Sequence, residues 1–354
     1  MKDILAEQLL AKTMNWTSEA LADERFQIQM FADIKYDNYQ KYSQGMKYVE
    51  SLALWLECFT KEDRAILYDY FKENLIYISE KQMRALVEMS YPFYIKTAIM
   101  KKVMLICQTK NISDTSKRKA IHEIITKKSL FLGLSDGSHI DLFRRANPDL
   151  SNEQINVYYD VSKDKFEDMI SEMPNSEEIG DGLSNIFLLD DFSGSGISFI
   201  RKEEGKWKGK IVKLLDRLKD YAMQVENVDL ILLLYISTNE AVCYIEDKLD
   251  KYKSENNINA VYAVQAIQII DKPLMNAEII ELLKKYYNKY KMSIIEDAHY
   301  KKGDCSSPYL GFNSCSLPLV IYHNTPNNSV PIIWFSNSDN YYGLFPRVTR
   351  HREV

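Results

Sequence analysis

The chain is poor in the residues that punctuate or cross-link small folds, with 12 glycines, 9 prolines and 5 cysteines among 354 residues. Cys58, Cys107, Cys243, Cys305 and Cys315 include no C-x-x-C pair. Their odd number argues against a closed disulfide framework and for a reducing, cytoplasmic setting. No apolar stretch reaches membrane-spanning length. The opening Met1-Lys2-Asp3-Ile4-Leu5 has an early acid and no long apolar run, so no signal peptide is expected. Positive charge is short as well: 45 basic against 50 acidic residues leave a net −5. That weakens the case for a nucleic-acid binder working through its whole surface and leaves room for a local basic patch. Internal repeats and low-complexity linkers are absent.

What the chain does contain is typical of a folded enzyme or binding module. Hydrophobic residues make up 46% and charged residues 27%, and 24 Tyr with 14 Phe speak against extensive disorder. The length predicts one large α/β domain with a smaller addition. Up to about Thr126 the apolar residues recur at helical spacing: Phe31 and Ile34, then Leu52, Trp55, Leu56 and Phe59. Thr60 is placed to cap a helix whose first turn carries Glu62 and Asp63, with Ile66, Leu67, Tyr70 and Phe71 on one face. Pro92 starts or kinks the next element, through Ile99, Val103 and Ile106.

Near Lys128 the texture changes. Residues 129–134 form an apolar run that breaks into Ser135-Asp136-Gly137-Ser138, as a buried strand ending in a tight loop would. Similar runs occur at 186–189, 230–236, 261–270 and 319–322, with helical stretches between several of them. Residues 330–335 are expected as a last strand, a hairpin partner of 319–322 across Asn324-Thr325-Pro326-Asn327-Asn328. The polar stretch 147–178 reads as an excursion over the sheet. These patterns predict an all-α region over residues 1–126, and over 127–354 an α/β domain with a mainly parallel sheet covered by helices on both faces.

The chemistry concentrates in one segment. The run Ile186-Phe187-Leu188-Leu189 leads to Asp190-Asp191-Phe192 and then to Ser193-Gly194-Ser195-Gly196-Ile197-Ser198. A buried strand delivers the residues after it to the carboxyl edge of the sheet, where open α/β folds bind ligands. Two acids there can accept hydrogen bonds from a vicinal diol. The small residues let several backbone N–H groups converge on an anion, helped by a helix N-terminus and by the hydroxyls of Ser193, Ser195 and Ser198. A Walker loop is excluded because Ile197, not lysine, comes after Gly196. A dinucleotide fingerprint fits poorly, since Phe199 stands where the third glycine belongs. The plain alternative is a βα turn with an N-capping serine, but ordinary turns rarely combine two acids, two glycines and three hydroxyls.

Residues 185–198 resemble the ribose-phosphate signature of the type I phosphoribosyltransferases. Ser135 to Arg145, Gly205-Lys206-Trp207-Lys208-Gly209-Lys210 and His323 to Asn328 through Leu344-Phe345-Pro346-Arg347 extend the likeness to divergent phosphoribosyltransferase-like effectors of prokaryotic conflict systems. Some of these accompany retron reverse transcriptases in phage defence. The resemblance spans residues 128–347. It implies that Asp190 and Asp191 hold ribose hydroxyls and that Ser193 to Ser198 hold a 5′-phosphate. It further implies that Asp136, Asp190 and Asp191 serve catalysis with Mg²⁺, and that Ser135, Gly137, Ser138 and Arg144 line the site with His323 and Asn324. The partners it implies are a phosphoribosyl or nucleotide molecule and a protein in a defence complex, such as a reverse transcriptase ribonucleoprotein, with no membrane involved. Two departures stand out. Asp136 occupies the turn where salvage enzymes present a base to pyrophosphate, and Gly194 stands where purine-salvage members carry an acid.

Several constellations have two readings. Asp136 and Asp141 are either metal or acid/base groups or parts of a polar turn. Arg144 and Arg145 are adjacent on a helix, so one at most meets a phosphate. His323-Asn324 is either a ligand contact or an Asn-rich turn. The spacing of His299, Cys305, Cys315 and His323 is irregular for zinc and fits packed thiols better. Arg347, Arg350, His351 and Arg352 read as a solvated end rather than an acidic-partner site. The leading expectation is an enzyme acting at C1′ of a ribose 5-phosphate unit as a toxin-like effector. Its rivals are a non-catalytic nucleotide sensor and a scaffold with a vestigial loop.

Overall fold

A computed structural model of the chain describes residues 3–109, 114–157, 162–174, 176–221, 227–298, 300–304, 306–337 and 340–347. In chain order the main elements are α1 (Asp3–Met14), α2 (Ser18–Ile34), α3 (Tyr48–Glu57), α4 (Lys61–Asn74), β1 (Ile76–Ile78), α5 (Glu80–Met89), α6 (Lys96–Thr109) and α7 (Thr115–Lys127). Then come β2 (Ser129–Gly133), α8 (Ile140–Ala146), β3 (Ile155–Val157), α9 (Lys163–Ser171), β4 (Asn185–Ser193), β5 (Arg201–Glu203), β6 (Lys206–Lys208) and α10 (Lys210–Asp220). The chain ends with β7 (Asp229–Ser237), α11 (Asn239–Glu255), β8 (Tyr262–Ile269), α12 (Ala277–Lys289) and β9 (Leu319–Ile321). Two units emerge, one of residues Met83–Asp271 and one of Met1–Gln82 with Lys272–Val354.

The Met83–Asp271 unit holds a five-stranded, all-parallel sheet in the order β3-β2-β4-β7-β8. The strands are apolar because both faces are covered. Leu130, Leu132, Ile186, Leu188, Leu230, Leu232 and Val264 pack with Ile211 and Leu215 of α10 and with Ile245 and Leu249 of α11. The alternate residues point the other way, where Phe131 stacks on Phe187 at 5.4 Å and meets Phe143 of α8. Pro92 lies in a single π-helical stretch, Ser90–Ile95, between α5 and α6, consistent with the missing N–H and ring of proline disturbing the α-helical ladder. The 147–178 stretch contributes β3 as an edge strand and α9 as a covering helix, so it is more than an excursion.

The other unit is largely helical. Thr60 caps α4 as expected, accepting from Asp63 N at 3.5 Å. Tyr36, Tyr39, Tyr42, Tyr48 and Tyr77 gather around Phe345, with ring centroids 5.3–5.9 Å from it. The three-residue strand β1, unforeseen inside the helical region, pairs in parallel with β9. This pairing and the tyrosine cluster join residues of the first 82 to the last part of the chain within one unit. Residues 330–335 are not the expected hairpin strand. Pro331–Ile333 is a 3₁₀ turn, and Trp334 donates from Nε1 to the Ser329 carbonyl at 2.8 Å.

Candidate functional site

Strand order alone locates a crevice. From β2 the chain moves outward to β3 on one side, then returns to β4 and proceeds through β7 to β8 on the other. The carboxyl ends of β2 and β4 therefore flank the topological switch point, the place where open α/β sheets bind ligands. Ser135 to Ser138 extend from β2 there, and Asp190 to Ser198 end and extend β4.

The loop after β4 is anchored from below. Ser193 Oγ accepts from Gly196 N at 3.1 Å, while Thr238, the N-cap of α11, donates from Oγ1 to the Gly194 carbonyl at 2.9 Å. Gly196 has φ of +77°, and a Cβ there would come within 3.0 Å of the Ala241 carbonyl and closer still to Ile245 and Tyr244. Only glycine meets both demands. With the loop so held, the amides of Ser195, Ile197 and Ser198 donate to no acceptor among the described residues. Ser195 and Ile197 are half-buried and Ser198 is exposed. Neighbouring loop amides left without an acceptor suit an anion.

The helix expected immediately after the loop is not there. The β5–β6 hairpin intervenes, and α10 begins only at Lys210. Its first amides are spent on the loop, Lys210 N donating to Ser198 O and Ile211 N to Phe199 O, both at 3.0 Å. The loop's own N–H groups, not a helix N-terminus, are what remain for a ligand.

The two acids differ sharply. Asp190 is 1% exposed. Its carboxylate accepts from Ser135 Oγ and from Lys210 Nζ, the latter at 2.6 Å. Burial raises its pKa above the ordinary carboxylate value, although Lys210 and Ser135 pull the other way. Asp191 is half-buried; one oxygen accepts from Phe192 N at 2.9 Å and the other rests against Gly137. Tyr235 of β7, fully buried, donates from its hydroxyl to the Ser138 carbonyl at 2.9 Å and so braces the loop after β2. A lone hydroxyl inside the apolar run of β7 was the available clue, because a buried tyrosine needs a partner.

A family model, PRTase-CE, matches residues 52–347. The chain belongs to the PRTase-CE family. Its sheet and flanking helices are of the phosphoribosyltransferase-like type that this membership implies. No curated protein matches the chain.

Within this PRTase-CE fold the residues expected at the site are unevenly distributed. Ser135, Gly137, Asp190, Asp191 and the 193–198 loop come together at the switch point. Asp136 is exposed on the 3₁₀ turn Asp136–Ser138, and Ser138 is buried behind it. His139 comes next, in the left-handed region with φ of 49°, turning the chain into α8. Arg144 is turned to the edge strand instead, its Nη2 donating to the Ile155 carbonyl at 2.5 Å, and Arg145 lies within 3.7 Å of Asp141 on the surface. His323 and Asn324 belong to the other unit, in a tight turn closed by Asn324 N donating to Ile321 O at 2.9 Å. Arg347, also in that unit, donates to the Thr325 carbonyl at 2.6 Å. His299, Cys305, Arg350, His351 and Arg352 lie outside the described residues. Cys58, Cys107 and Cys315 are buried and Cys243 is exposed.

The residues do not form a metal cage. No cluster of three or more His, Cys, Asp or Glu side chains suited to a metal occurs among the described residues. Asp190 is committed to Lys210 and Ser135. Mg²⁺ commonly takes one or two carboxylates together with water and substrate phosphates, so here it would have to arrive with the ligand's own oxygens. No described helix is long and apolar enough to cross a membrane.

Proposed function

We propose that residues 193–198 grip the 5′-phosphate of a phosphoribosyl or nucleotide ligand, and that the protein acts at C1′ of that ribose 5-phosphate unit. The observation that carries the reading is the set of three undonated amides, Ser195, Ile197 and Ser198, at the switch point of a PRTase-CE fold. Asp191 orients the ribose hydroxyls. Asp190, being buried, acts through what it holds: it ties the loop after β2 to α10 and fixes the strand end from which Asp191 projects. Bond cleavage at C1′ develops positive charge on the ribose ring, and the chain's contribution is positioning together with nearby carboxylate charge. Mg²⁺ would enter with the ligand's phosphates and neutralise part of their charge. The resemblance to conflict-system effectors supports a cytoplasmic, toxin-like role restrained by a protein partner.

Incubation with phosphoribosyl pyrophosphate and with common nucleotides, followed by assay of released pyrophosphate or free base, tests the activity. Release that disappears in Asp191→Asn supports it. A second reading, a sensor that binds without turnover, is favoured by exposed Asp136 in the turn after β2. Tight binding with no release of either product selects the sensor, and absence of binding rejects both.

A further inference from the structure

An anion site bordered by two aspartates needs a positive charge, and the turn after β2 supplies none. Among the described residues, Arg201 and Lys210 are hydrogen-bonded to the 193–198 loop. Arg201 is paired with Glu203 and donates from Nη1 to the Ile197 carbonyl at 3.4 Å, so it shapes the loop from behind. Lys210 is placed differently. Its backbone N–H is bound to Ser198, at the end of the loop, and its ammonium reaches Asp190, at the stem. The residue thus connects, by its main chain and its side chain, the two ends of the loop whose amides are undonated. Its Nζ also sits 5.0 Å from the centroid of the Phe199 ring, which limits where the ammonium can go.

Resting on the phosphate-loop reading above, we infer that Lys210 is the cation that receives the ligand's phosphate. An ammonium has three N–H donors, and the bond to Asp190 uses one. The side chain keeps 32% of its surface exposed, whereas its partner's keeps 2%. Asp190 holds the ammonium at the stem of the loop and leaves its other donors for a ligand. Lys210 thereby supplies, from the far side of the β5–β6 hairpin, the charge that Asp136 denies the turn after β2. The ligand class is then a ribose carrying a dianionic 5′-phosphate, bound in preference to its unphosphorylated counterpart.

The test is calorimetric titration of ribose 5-phosphate into the full-length wild type, Lys210→Gln and Lys210→Arg, at several salt concentrations, with thermal melts as a folding control. Lys210→Gln is expected to bind about tenfold more weakly or worse and to show a shallower salt dependence. Lys210→Arg is expected to stay within about threefold of wild type, because it retains the charge. A wild-type affinity in Lys210→Gln, an affinity loss with the salt dependence unchanged, or failure of Lys210→Arg to restore binding would each overturn the role of Lys210. If the wild type itself binds neither ribose 5-phosphate nor phosphoribosyl pyrophosphate, the phosphate-loop reading fails instead.

Discussion

Gly137 lies so close to Asp191 that a Cβ on it would come within 2.8 Å of the carboxylate Cγ and nearer still to Oδ2. The loop after one strand is thereby fitted to the acid at the end of its neighbour, across the switch point. Gly137→Ala must swing the Asp191 side chain away. That side chain is half-buried and can move, so the fold should lose less than about 1 kcal/mol while affinity for ribose 5-phosphate falls about tenfold or more. Urea unfolding and titration calorimetry on the same preparation check both halves.

Gly196 faces the opposite constraint. It combines φ of +77° with approaches of 2.8–3.0 Å between a built Cβ and Ile245, Tyr244 and the Ala241 carbonyl of α11. A left-handed non-glycine residue and an overpacked contact together should cost Gly196→Ala about 2–5 kcal/mol. Thermal unfolding should register the loss, and ligand binding should disappear with it, because the loop can no longer sit on α11.

Much of the fold is readable in the residues, and the failures are as informative. The strands β2, β4, β7 and β8 announce themselves as apolar runs because a doubly covered parallel sheet needs apolar side chains on both faces. The pairing of β1 with β9 leaves no such trace, since three residues between two helices carry no period and their partner lies at the far end of the chain. Lys210 closes a Gly-Lys-Trp-Lys-Gly-Lys run that gives it no role by itself. Its signal is electrostatic: a lysine as the first residue of a helix opposes the helix dipole, which a buried carboxylate nearby compensates. Asp190 and Asp191 look alike in sequence, and only burial separates them.

For Asp190 the pH dependence has a definite sign. Burial raises its folded pKa above the unfolded value, so its favourable contribution is complete below the ordinary aspartate range and is lost as pH rises through the folded pKa. Asp190→Asn should therefore melt no lower than wild type at pH 7 while binding ribose 5-phosphate more weakly. A drop in Tm of several degrees would show that the Lys210 pair outweighs the burial cost.

Asp63, in the helical unit, behaves oppositely. Burial works to raise its pKa, but hydrogen bonds from Lys285, at 2.5 Å, and Tyr286 prevail and hold it below the usual value. The resulting stability is present above about pH 4 and is lost as pH falls through the lowered folded pKa. Asp63→Asn should cost about 1–3 kcal/mol at pH 7 and flatten the acid limb of a stability–pH curve measured by urea unfolding.

The most direct test of the central claim is a crystal structure of the protein soaked with ribose 5-phosphate. The account predicts phosphate oxygens within hydrogen-bonding distance, about 2.7–3.2 Å, of the amide nitrogens of Ser195, Ile197 and Ser198, with the ribose hydroxyls toward Asp191. A phosphate bound elsewhere, with those three amides still without an acceptor, would contradict it.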